Sequence, residues 1–307
     1  MSQRDAVIVV CGEALIDMIG IDGVYRAHPG GGPMNAAVAL ARLGRSVRLL
    51  TALGTDAMSD LLRAHISGSG VDLSWTPTVH VPTTLALVTI DGHGAASYEF
   101  YVQHTTVAEI TPPPAEAFAD VAALHVGTLA LAVSPTAERV EALVHALPAD
   151  AFVFLDPNCR PQFVADRAAY TDRVERLAAR STIVKVSTDD LEWMYPGTAV
   201  DDGVTRLLGA GAHAVLVTRG GDGASAHRAG GTVTVAAAPI SVVDTVGAGD
   251  TFGAAALAWL AERGALSVDG FDTLGDDDLR ALLAFATRAA GITCTRAGAD
   301  PPHRHEL

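Results

Sequence analysis

Short apolar, largely β-branched runs recur along the chain at Ala6–Val10, Val47–Leu53, Phe152–Leu155, Thr182–Val186 and Ala214–Val217. Runs this short, continuous rather than alternating and bounded by turn residues, suit strands covered on both faces, as in a parallel sheet between helices. Between them, Asn35–Leu43, Pro135–Leu147, Ala168–Ala179 and Asp202–Leu208 carry apolar residues at helical spacing. Strands alternating with helices predict an α/β fold with a doubly wound, mostly parallel sheet. A chain of 307 residues can form this as one domain spanning 1–307.

Two stretches break the rhythm, about 12–28 and 81–102. They read as extended pieces, the second with a turn at Gly92 and Gly94, and together predict a small β-sheet projecting from the body. Such a flap is either a lid over a substrate or a plain surface hairpin.

Hydrophobic residues make up 49% of the chain, yet no apolar run approaches the roughly 18 residues of a membrane span. The polar start Met1–Asp5 followed by a brief apolar run does not resemble a signal peptide, so the expected location is the cytoplasm. Cys11, Cys159 and Cys294 are far apart and are expected to be buried thiols rather than disulfide or zinc ligands. A net charge of −14, from 21 Lys plus Arg against 35 Asp plus Glu, argues against a nucleic-acid partner. It equally requires that any anionic ligand be met by locally gathered cations and backbone N–H groups.

Val243-Asp-Thr-Val-Gly-Ala-Gly-Asp250, running into the helix-forming stretch Ala254–Arg263, offers such a place. Gly247, Ala248 and Gly249 leave their N–H groups open where a helix begins, which makes an anion-binding nest. Asp250, beside it, either caps the helix or accepts a proton from an attacking hydroxyl. Near the other end, Gly30-Gly-Gly-Pro-Met-Asn35 combines glycines that admit a ligand to the backbone with an amide able to bond sugar hydroxyls. P-loop and dinucleotide-binding glycine patterns are both missing. His303 and His305 are read as part of a frayed polar tail, not as metal ligands.

The two signatures in this order resemble the ribokinase-like, or PfkB, carbohydrate kinases over essentially the whole chain. Gly12-Glu-Ala-Leu-Ile-Asp17 and Asp156-Pro-Asn-Cys-Arg-Pro161 look most like the fructokinase and 2-keto-3-deoxygluconate kinase branches. The resemblance implies a cytoplasmic kinase moving the γ-phosphate of ATP to a primary sugar hydroxyl, with D-fructose expected ahead of ribose, nucleosides or the keto-deoxy acid. A catalytically silent sugar- or nucleotide-binding regulator on the same fold is the alternative of another class.

It further implies that Asp17, Gly30, Gly31 and Asn35 hold the sugar, that Asp250 is the base and that Gly247–Gly249 form the anion hole. Ser187 and Asp190 stand where the family carries Asn-x-x-Glu, so Asp190 is expected to face hydrated Mg2+. Thr218, Arg219, Gly220 and Gly223 resemble the nucleotide loop, and Arg160, Lys185 and Arg219 supply positive charge, Arg160 serving either phosphate or a substrate carboxylate. Thr287 lies where adenine is expected. A K+ site is implied around Asp244, Val246 and Gly298, and a homodimer through the lid.

Overall fold

The computed structural model describes residues 6–21, 24–90 and 96–307. The N-terminal Met1–Asp5 and the Gly92 and Gly94 turn lie outside them. In chain order the strands are β1 (Val7–Cys11), β2 (Leu15–Ile21), β3 (Val24–Gly30), β4 (Val47–Leu50), β5 (Leu85–Ile90), β6 (Ala96–Tyr101), β7 (Val121–Gly127), β8 (Val153–Asp156), β9 (Ile183–Ser187), β10 (Ala214–Thr218), β11 (Ala224–Arg228) and β12 (Gly231–Val235). The helices are α1 (Gly32–Arg42), α2 (Ala57–Gly68), α3 (Thr136–Ala146), α4 (Arg167–Ala178), α5 (Thr188–Met194), α6 (Val200–Ala210), α7 (Ala248–Glu262), α8 (Val268–Asp272) and α9 (Asp276–Cys294).

Eight strands form the main sheet in the order β12-β11-β10-β9-β8-β7-β1-β4. It is parallel from β10 to β4 and antiparallel only at the β10-β11-β12 edge. Successive residues of a strand point to opposite faces, so each buried strand feeds two cores. Ile8, Val10, Phe152 and Phe154 pack with α1, α7 and α9, whereas Val9, Cys11, Val153 and Leu155 pack with α3, α4 and α6. Helix α7 is buried from Asp250 through Ala261, and its alanines, with those of α1 and α9, let the three helices approach closely over the sheet.

The separate sheet has four strands in the order β3-β2-β5-β6. It unites the two extended stretches expected from the sequence. The C-terminal tail corrects another expectation: it is docked. Arg42 binds Asp300 and the Pro301 carbonyl, Arg296 pairs with Glu306, and Leu307 packs against the core. His303 and His305 stack on each other in this anchored segment, and the described residues include no cluster of three or more metal-ligating side chains. Cys11 and Cys159 are buried as expected, while Cys294 is half-buried. Among the described residues no helix is long and apolar enough to cross a membrane.

Candidate active site

The C-terminal ends of β1, β7, β8 and β9 converge on the head of α7. Helix α7 starts at Ala248, six residues before the run that marked it in the sequence, with Gly247 as its N-cap at φ 76. A side chain at Gly247 would be strained by that left-handed backbone, and its Cβ would lie 2.6 Å from Ala299 Cβ. The Ala248 N–H turns back to Thr245 O at 3.3 Å. Those of Gly249 and Asp250 have no acceptor among the described residues, so the nest is built from first-turn donors at the positive end of the helix dipole.

Asp250, 9% exposed, is held between two amides. Asn35 Nδ2 donates to its Oδ2 at 2.9 Å and Asn158 Nδ2 to its Oδ1 at 3.4 Å. Burial pushes the carboxyl above its ordinary value, opposed by the Asn35 hydrogen bond and by the charges of Lys185 and Arg160. The amide of Asn35, expected on the sugar, here binds the Asp250 carboxylate. Arg160 fixes the orientation of Asn158 by donating to its Oδ1 at 2.6 Å, which turns Nδ2 toward Asp250.

Across the cleft, Asp17 on β2 lies over the end of β3: a Cβ on Gly30 would meet Asp17 Oδ2 at 2.1 Å, so a side chain there would displace this carboxylate. Burial raises Asp17 to about 6, with Arg160 opposing and Asp250 reinforcing the shift. Glu13, fully buried just behind Gly31, is pushed by burial to about 8, and one of its oxygens has no partner. Arg160 thus stands among Glu13, Asp17 and Asp250.

Lys185 departs from expectation. It is a buried ion-pair partner of Asp156, with Nζ at 3.0 and 3.2 Å from the two carboxylate oxygens and side chains only 4% exposed on both sides. Burial works against its charge, but Asp156, Asp190 and the hydrogen bond outweigh it and hold the ammonium above its ordinary value. Nζ lies beneath the nest, 3.1 Å from where a Cβ on Gly249 would stand.

Ser187 and Asp190 also differ from expectation. They form a capping box that starts α5, and Asp190 Oδ2 accepts from Ser187 N at 2.8 Å and Ser187 Oγ at 2.7 Å. Its Oδ1 accepts from Cys159 N at 2.7 Å, fastening the loop that carries Asn158 and Arg160. A buried carboxylate with both oxygens engaged by the chain does not fit a metal-facing role.

Thr218 ends β10, and the turn Gly220–Asp222 follows, closed by Gly223 N donating to Gly220 O. Arg219 is anchored by donation to Ser225 Oγ at 2.6 Å. Ile240, Val242, Val243 and Val246 expose 41–63% of their surface and form an apolar strip leading to the nest; Ile240 borders α9 at Gly291. Thr287 on α9 has a buried hydroxyl without a partner. Asp244 ties the strip to the tail, accepting from Val246 N at 3.0 Å and Gly298 N at 2.8 Å.

The model of the pfkB family of carbohydrate kinases matches residues 5–305. A fructokinase of Rhizobium leguminosarum bv. trifolii is 37% identical over 89% of this chain and 85% of its own length. A fructokinase of Klebsiella pneumoniae is 30% identical over 98% and 97%. The crystal structure of fructokinase with bound ATP from Xylella fastidiosa superposes with a TM-score of 0.86, covering 96% of this chain and 94% of that one at 25% identity. With a family match over nearly its whole length, this chain belongs to the pfkB family of carbohydrate kinases.

Proposed function

We propose that the protein transfers the γ-phosphoryl group of ATP to a primary hydroxyl of a neutral sugar, D-fructose. The observation that carries this reading is Asp250, a buried carboxylate clamped by Asn35 and Asn158 within one turn of unpaired helix N–H groups. The hydroxyl gives its proton to Asp250, its oxygen forms the new bond to the γ-phosphorus, and the bond to the β–γ bridging oxygen breaks to release ADP. Negative charge spread over the transferring group meets the Gly249 and Asp250 N–H groups and the helix dipole, with the Lys185 ammonium below. No covalent phospho-enzyme is required.

The choice of a neutral acceptor is supported by the charges around it. Asp17 and Asp250 flank Arg160, so a sugar carboxylate would find the charge of that arginine already shared with two acids. The fructokinase relatives support the same choice. The apolar strip from Ile240 to Val246 offers the adenine a surface, and Arg219 with the Gly220–Gly223 turn offers its phosphates donors. A magnesium ion held by the nucleotide phosphates would neutralise part of their charge, and Asp190, engaged by Ser187 and the Cys159 N–H, would serve to hold the Asn158–Arg160 loop. A potassium ion behind the nest, near Asp244, Val246 and Gly298, would strengthen the same positive field.

The small sheet acts as a lid, carrying Asp17 and Gly30 down onto the sugar and excluding water that would otherwise hydrolyse ATP. Exposed Val24, Tyr25 and Tyr101 on that sheet support pairing of two lids in a homodimer. The test is ADP release with ATP and magnesium over a panel of fructose, ribose, 2-keto-3-deoxygluconate and adenosine. Fructose should lead by orders of magnitude in kcat/KM. Preference for the keto-deoxy acid that disappears in Arg160→Ala would make the substrate a sugar acid instead.

A further inference from the structure

Gly32 opens α1, and its side-chain face looks onto three polar atoms brought there by three different elements. A Cβ at Gly32 would lie 2.9 Å from Thr128 Oγ1, 3.1 Å from Asp250 Oδ1 and 3.3 Å from Asn158 Nδ2. The base, an amide and a hydroxyl therefore border one small space above a glycine.

The backbone beneath two of these atoms is strained. Three described non-glycine residues have positive φ, and two of them are Thr128 at 58° and Asn158 at 39°. Asparagine tolerates that region, but a β-branched threonine does so only at a cost on the order of 1–3 kcal/mol, which the surrounding structure must overcome. Thr128 is 6% exposed, follows β7 directly and does not cap the short 3-10 turn Thr128–Leu131 that it begins. Its hydroxyl makes no hydrogen bond to any described residue. The fold thus holds a buried threonine in an unfavourable conformation and gains no internal bond from its hydroxyl.

We propose that Thr128 is a substrate-positioning residue whose hydroxyl donates to the oxygen of the acceptor hydroxyl and holds it against Asp250 Oδ1 over Gly32. The assignment rests on the sugar-kinase reading. In this arrangement the acceptor hydroxyl donates its hydrogen to Asp250, accepts from Thr128 with one lone pair, and keeps the other for the γ-phosphorus. Asn158, with one amide hydrogen on Asp250 and its carbonyl on Arg160, fixes the angle of the carboxylate. The acceptor oxygen would be the partner that the fold does not give the Thr128 hydroxyl, so seating the acceptor adds a hydrogen bond at the reacting atom.

The experiment compares the full-length wild type with Thr128→Ser, Thr128→Val and Thr128→Gly, measuring kcat and KM for acceptor and for ATP together with thermal midpoint. Serine should stay within a few-fold of wild type. Valine, similar in shape but without the hydroxyl, should lose roughly 10- to 100-fold in kcat/KM for the acceptor, the effect of one buried hydrogen bond, with KM for ATP unchanged. Glycine should lose as much activity while raising the thermal midpoint, because it relieves the left-handed strain. A purely structural threonine would not yield a more stable and less active protein. Valine within two-fold of wild type, serine falling as far as valine, or an equal rise in KM for ATP would overturn the proposal with the sugar-kinase reading left standing. A wild type that phosphorylates no acceptor in the panel would overturn both.

Discussion

Replacing Lys185 by Met removes the positive partner of Asp156 while preserving the length and apolar character of the stem. The pair is almost completely enclosed, with Nζ 3.0 Å from Asp156 Oδ2, so the remaining carboxylate would be left charged in a site that excludes water. Breaking a buried pair from one side costs about 3–5 kcal/mol. For a chain of this size, at roughly 2 °C per kcal/mol, the thermal midpoint should fall by roughly 6–10 °C. The deficit must also depend on pH. Burial already raises the Asp156 carboxyl to about 6 against the opposing charge of Lys185, and without Lys185 it rises further, so the variant bears an added cost as pH rises above about 6. Lys185→Met should therefore be closer to wild type at pH 5 than at pH 7. Urea denaturation of wild type, Lys185→Met, Asp156→Asn and the double variant at both pH values measures all of this. The double variant should recover part of the loss, because no uncompensated charge remains. A single variant within about 1 kcal/mol of wild type at pH 7, or a double variant no better than the single, would refute the buried-pair account.

Asp190→Ala should lower stability and raise the sugar KM, because it releases Cys159 N and with it the Asn158–Arg160 loop; a magnesium titration shifted more than the sugar KM would restore a metal-facing role. His125 stacks on Phe154 at 5.3 Å with neither ring nitrogen bonded, and burial, reinforced by Lys185, lowers it to about 3 from 6.5. The unfolded chain binds that proton below pH 6.5 and the folded one does not, so stability falls with pH toward 3. His125→Phe should reduce that fall by about 1 kcal/mol per pH unit at most, and an unchanged pH dependence of the urea midpoint would show that His125 is not responsible. Rates in potassium should exceed those in a large organic cation at matched ionic strength, and equality would remove the cation site near Asp244.

The layered fold was legible because the strands of a covered parallel sheet carry continuous apolar runs, as at Val47–Leu50 and Ala214–Thr218. β7 escaped notice because Val121-Ala-Ala-Leu-His-Val-Gly mixes small residues with a buried histidine. The β11-β12 edge, Ala-Ser-Ala-His-Arg and Gly-Thr-Val-Thr-Val, is antiparallel and partly solvated, so it never reads as a core run. Of the expected site residues, Asp17, Gly30, Asn35, Arg160 and Asp250 do meet at one cleft, Asn35 and Asp250 from the first turns of two helices that each follow a glycine-rich turn. The family position of Asp190 and the charge of Lys185 point to ligand, but their partners Cys159 and Asp156 come from another strand and its loop, which the local sequence does not show. Asn158 lay within a segment singled out for its resemblance, but its role depends on Arg160 turning the amide. Thr128 left no signal: a positive φ at threonine follows from the packing around it, not from its neighbours in sequence.

Asp250→Asn tests the central claim most directly. The variant keeps the size of the side chain and removes a buried negative charge, so thermal stability should be preserved or raised, and titration calorimetry should find sugar and nucleotide affinities near wild type. Single-turnover transfer of labelled γ-phosphate to fructose should fall by roughly 10²- to 10⁴-fold, the usual effect of losing a positioned base. A folded variant that binds both substrates and retains a tenth or more of the wild-type rate would contradict the assignment of Asp250 as the group that takes the proton.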